Sequence, residues 1–94
     1  MIMSHIVIPA IAFKFQYILS VLHETGLILP RDELRQVNGV AVTGKQPDDI
    51  IQLIVRNTSS ITAIFYFLSH LLVTLWRPLQ PYGYSYKASY ARPG

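Results

Sequence analysis

The stretch Asn57-Thr58-Ser59-Ser60-Ile61-Thr62-Ala63-Ile64-Phe65-Tyr66-Phe67-Leu68-Ser69-His70-Leu71-Leu72-Val73-Thr74-Leu75-Trp76 holds no Asp, Glu, Lys or Arg, and Arg56 and Arg77 close it off. It is about twenty residues long, and a helix of that length spans roughly 30 Å, the hydrocarbon thickness of a bilayer. The sequence therefore predicts a membrane-spanning helix here, and with it an integral membrane protein.

On its N-terminal side, Pro47-Asp48-Asp49 reads as a helix start. Proline suits a first helical position, and acids suit the positive end of the helix dipole. No breaker is legible before Pro78, so a single helix over about 47–77 is expected, with Trp76 at the far interface. Gln52, Arg56, Ser59, Ala63, Tyr66, His70, Thr74 and Arg77 follow one another at steps of three and four, so such a helix would carry them on one face. Ile61, Ile64, Phe65, Leu68, Leu71, Leu72 and Leu75 would form its greasy back. Small and hydroxyl-bearing residues let membrane helices approach and bond, so the first face is read as the packing face. His70 would lie well inside the bilayer, where an ionisable group is a functional suspect. A neutral imidazole bonded to a neighbouring helix is the plainer expectation, and no haem, metal or other cofactor is assigned to it.

The N-terminal part reads as an apolar helix over about 2–23, with Gly26 as its C-cap. His5, Pro9, Ala12, Gln16, Ser20 and His23 share one side of it. The segment either crosses the bilayer or lies in its interface, and it could form a helical hairpin with the long helix. Basic residues do not precede its apolar part, so it is read as retained rather than as a cleaved signal. Ser20 and His23 are spaced as in the Ser-x-x-His opening of a motif in the large membrane anchor of succinate dehydrogenase. That resemblance ends at Glu24, where that family has Arg, and no role is carried over from it.

Residues 24–46 carry charges throughout and are expected to face water as a polar loop. Val37-Asn38-Gly39-Val40 is a tight-turn signal, but two short strands alone are marginal, so a plain loop is expected over a hairpin. The tail, 78–94, has prolines at 78, 81 and 93 and no acid. Its Tyr82, Tyr84, Tyr86 and Tyr90 suggest an extended arm laid on a partner, because aromatic rings invite burial.

Composition bounds the function. The chain has 94 residues, 51% of them apolar and 14% charged, against about 25% charged in ordinary soluble domains. One small domain spanning 1–94 is expected, and lipid or protein should cover its surface. With no cysteine, disulfides, thiolate metal sites and a Cys nucleophile are excluded. A net charge of +3 is too modest and scattered for a nucleic-acid footprint. Asp32-Glu33 and Asp48-Asp49 are sequence neighbours rather than a convergent catalytic pair, and no triad, phosphate loop or metal spacing is present. No catalysis is expected.

The sequence thus reads as an all-α membrane protein. Its expected role is that of a non-catalytic accessory subunit of a large membrane complex, with other membrane subunits and lipids as partners. A mitochondrial respiratory complex or ATP synthase is the expected home, in the mitochondrial inner membrane. The alternative is a small self-assembling pore former of the viroporin kind.

Overall fold

The computed structural model of the chain describes residues 7–58 and 60–91. It contains α1 (Val7–Glu24), β1 (Glu33–Val37), β2 (Val40–Ala41), α2 (Pro47–Arg56), α3 (Ile61–Ser69), β3 (His70–Arg77) and β4 (Tyr84–Ala91). The four strands form one antiparallel sheet in the order β2-β1-β3-β4. This is an α/β arrangement, and it overturns the all-α reading. Among the described residues no helix is long and apolar enough to cross a membrane. The integral-membrane and mitochondrial inner-membrane readings rested on that one helix, and they fall with it.

The uncharged run breaks for local reasons. Asn57 caps the end of α2, its backbone N–H donating to the carbonyls of Ile54 and Val55. Its side chain donates to Leu53 O at 3.0 Å, and Thr58 Oγ1 donates to Ile54 O at 2.7 Å. These short polar side chains satisfy the last carbonyls of α2 and offer the backbone an alternative to further helix. Ser60, with φ −142° and ψ 150°, then restarts the chain as an N-cap whose Oγ accepts from Ala63 N–H at 3.2 Å. The run is therefore the close of one helix, a second helix of nine residues, and a strand.

From His70 onward the side chains alternate between inside and outside. Leu71, Val73 and Leu75 are buried, and Leu72 is 42% exposed. That is the period of a strand. β3 is central, paired with β1 through Val37↔Val73 and with β4 along its whole length, His70↔Ala91 to Arg77↔Tyr84. A strand with two partners satisfies all its backbone groups, and this tertiary gain decides a sequence that periodicity leaves ambiguous.

The polar loop also folds. Asn38 and Gly39 both take positive φ, 47° and 82°, and join β1 to β2 in the register Val37↔Val40. This two-residue turn suits an Asn-Gly pair. The hairpin, set aside in favour of a plain loop, is present because β3 supplies the missing third strand.

The core is continuous. α1 contributes Ile11, Phe15, Ile18 and Leu22, α2 contributes Ile50, Ile51 and Ile54, and α3 contributes Ile64 and Leu68. These meet Val37, Leu71, Val73, Leu75 and Ala88 from the sheet. α1 packs on α2, the nearest approach in the structure to the expected helical hairpin. Residues 2–6 of the expected N-terminal helix lie outside the described residues.

Candidate functional site: an open sheet edge and the cluster that pins it

β4 is the outer strand of the sheet. Tyr86 and Tyr90 pack against the core and Ala88 is buried within it. Ser85, Lys87, Ser89 and Ala91 are exposed. The direction of the backbone groups follows from β3. Leu72 donates its N–H to Asn38 Oδ1 at 2.7 Å and accepts from Asn38 N–H at 2.8 Å, so the peptide groups of Leu72 face β1. Successive residues of a strand alternate, so Leu71, Val73, Leu75 and Arg77 face β4. Their partners there are Tyr90, Ala88, Tyr86 and Tyr84. The N–H and C=O groups of Ser85, Lys87, Ser89 and Ala91 therefore point away from the sheet. Among the described residues no strand lies beyond them.

One polar cluster holds this strand in place. The Asp32 side chain, 1% exposed, accepts from Arg77 Nε at 3.0 Å and Nη2 at 2.8 Å. It also accepts from Tyr86 Oη and, at 2.8 Å, from Leu29 N–H. Arg77 donates further to Tyr84 Oη at 3.1 Å and Tyr86 Oη at 2.9 Å, and its guanidinium lies 4.4 Å from the Tyr86 ring centre. The cluster ties the 27–32 loop, the end of β3 and two rings of β4 together. The Arg77 hydrogen bonds, more than any other influence, hold the Asp32 carboxyl well below its ordinary 3.8, and burial opposes them. The Tyr86 hydroxyl is pushed up to about 12, by burial first and then by the Asp32 carboxylate. Gly83 lets the strand enter close by, since a Cβ there would come within 2.6 Å of Trp76 Cζ2 and 2.7 Å of Arg77 O.

The sequence-expected packing face is divided among three elements. Gln52 and Arg56 lie on α2, Ala63 and Tyr66 on α3, and His70 and Thr74 on β3. Ser59 lies outside the described residues. These residues share no helix, because the helix that would align them ends at Arg56 and again at Ser69. His70 is at the surface, its ring stacked on Tyr66 at 4.7 Å and its Nδ1 2.9 Å from Ser69 Oγ. Of the tail tyrosines, Tyr84, Tyr86 and Tyr90 lie on β4, and Tyr82 precedes it, 83% exposed.

The sequence reading missed Asp32 as the anchor, and it missed the outward row Ser85, Lys87 and Ser89. The signal for the row was the alternation of Tyr84, Tyr86, Ala88 and Tyr90, which has the period of a strand. Asp32 gave no signal, because its partners Arg77 and Tyr86 stand 45 and 54 residues away. Among the described residues no group of three or more His, Cys, Asp or Glu is placed to hold a metal ion. The cleft beside the cluster, about 410 Å³, is lined by Leu29, Pro30, Arg31, Asp32, Arg77, Pro78 and Leu79, and Asp32 and Arg77 are already paired with each other.

Short similarities to known proteins overlap part of this chain. It is 50% identical over 38 residues to MAGUK p55 subfamily member 3 of Mus musculus, which is 40% of this chain and 7% of that protein. The human protein of the same name gives 50% over 38 residues, 40% of this chain and 6% of that protein. MAGUK p55 subfamily member 7 of Xenopus tropicalis gives 45% over 38 residues, again 40% of this chain and 7% of that protein. The match thus spans under a tenth of those relatives' length. No family model matches the chain, and no solved structure matches it.

Proposed function

We propose that this chain is a non-catalytic protein-binding module, an accessory or structural member of a larger assembly, which takes an extended partner segment along β4. The observation that carries this is the row of outward backbone groups at Ser85, Lys87, Ser89 and Ala91 on an eight-residue edge strand. An unpaired edge of that length is a template for another strand, and main-chain bonds then supply the affinity. The titratable cluster supports the same reading. Asp32, Arg77 and Tyr86 hydrogen-bond one another and so help keep β4 in register.

Proline scanning tests it. In Ser89→Pro the lost N–H is one that points outward, so the sheet itself keeps its bonds. The variant should melt close to wild type yet leave the assembly, shifting on a native gel from a larger species to the free chain. Ala88→Pro removes an N–H that faces β3 and should unfold the protein. An unchanged assembly in a folded Ser89→Pro would overturn the proposal.

A further inference from the structure

The geometry points to a second copy of this chain as the occupant of the β4 edge, paired antiparallel about a two-fold axis through Ala88; this rests on the edge-binding reading above. Three constraints select that arrangement. First, two edge strands exchange bonds only if outward-facing residues stand opposite outward-facing residues. A two-fold axis passing between two residues would set Lys87 against an inward-facing Ala88, so the axis must pass through a residue. Second, the core face must continue from one copy to the next, and the same centring on a residue achieves this. Third, like charges directly opposite each other are unfavourable. Lys87 is the one charged residue of β4, and an axis through it would set it against its own copy. An axis through Ser89 would leave Ser85 without an opposite residue inside the strand.

Centring on Ala88 meets all three. Ser85 then faces Ala91 of the second copy and Lys87 faces Ser89, each pair exchanging both main-chain bonds. On the core side Tyr86 faces Tyr90 of the second copy, an aromatic cross-strand pair, and Ala88 meets its own counterpart. Every outward group of β4 is used, and the two sheets become one. The interface is isologous, the commonest form of a closed homodimer. Lys87 becomes a register selector: it forbids the one competing alignment of equal length.

Because the chain has no cysteine, single introduced thiols report the register cleanly. At the two-fold, Ala88 faces itself in a non-hydrogen-bonded pair, with Cα atoms about 4.5 Å apart, inside disulfide range. Two copies of Ser89 would lie on a diagonal about 7–8 Å apart, outside it, and a thiol there leaves the Lys87 charge in place. Mild oxidation of the full chain should therefore link Ala88→Cys into a covalent dimer and leave Ser89→Cys monomeric. Sedimentation equilibrium adds a readout on an exposed position. Ser89→Lys sets lysine against lysine twice per dimer and should weaken association about fivefold or more, with partial recovery at high salt.

Failure of Ala88→Cys to link in a chain that still dimerises, or linking of Ser89→Cys in its place, would overturn the register. A wild-type chain that stays monomeric at about 100 μM, while Ser89→Pro still loses its native assembly, would overturn self-pairing and leave the edge-binding reading standing. A dimer unaffected by both Ser89→Lys and Ser89→Pro would place association elsewhere and overturn both.

Discussion

Asp32 grips Arg77 through both Nε and Nη2, at 3.0 and 2.8 Å, across 45 residues of sequence. That pairing joins the loop before β1 to the last residue of β3, and Tyr86 carries the link to β4. The cluster thus closes one end of the sheet on both sides of its central strand.

The acid limb of stability should depend on Asp32. Its carboxyl is held below its ordinary 3.8 in the folded chain, with the Arg77 hydrogen bonds as the main cause. A depressed folded value gives stability that is present above about pH 5 and is lost as pH falls through 3.8 and below. Urea midpoints of the wild type should fall over that range, and those of Asp32→Asn should start lower and stay flatter. Parallel curves would remove Asp32 from the account.

Tyr86 should mark the alkaline limb. Its hydroxyl goes from an ordinary 10.0 to about 12 on folding, so the folded chain keeps the proton longer than the unfolded one. That contribution is intact below about pH 10 and is lost as pH rises toward 12. Tyr86→Phe should flatten this limb, and a spectrophotometric titration of wild type should show one phenol ionising late.

Leu72 and Leu75 separate the strand from the helix directly. A helix over 47–77 would put both on its greasy back, whereas β3 buries Leu75 to 2% exposure and leaves Leu72 at 42%. Leu75→Ala should cost about 2–5 kcal/mol. Leu72→Ala should stay within about 0.5 kcal/mol, as surface changes do. Equal losses in denaturant melts would contradict the alternation.

Ser60 restarts the chain after the break, accepting from Ala63 N–H at 3.2 Å. Ser60→Ala should lower stability by about 1 kcal/mol, and Ser60→Asp should restore most of it. Chemical denaturation of the three proteins measures this.

The α/β architecture was not read from the sequence, although local signals for some of its elements were present. Pro47-Asp48-Asp49 opens α2, Asn38-Gly39 makes the hairpin turn, and the tyrosine alternation marks β4. What misled was the absence of charge from Asn57 to Trp76. A run without charge reads the same whether lipid or a protein core surrounds it. Here Ile64, Leu68, Leu71, Val73 and Leu75 face a core built by α1 and α2. The breakers were present but quiet: Asn57, Thr58 and Ser60 stop and restart helices by side-chain bonds rather than by a proline. The Asp32 cluster could not be read at all, because only the completed sheet brings its members together.

His70–Arg77 is a strand between β1 and β4, and cross-strand NOEs in isotopically labelled protein test that placement. Val37 and Val73, and likewise Thr74 and Lys87, are paired without mutual hydrogen bonds, which brings their α-protons close together. Strong Hα–Hα cross-peaks are expected for both pairs. Unbroken medium-range contacts between residues three apart from 61 through 76, with neither cross-peak, would show one continuous helix and contradict it.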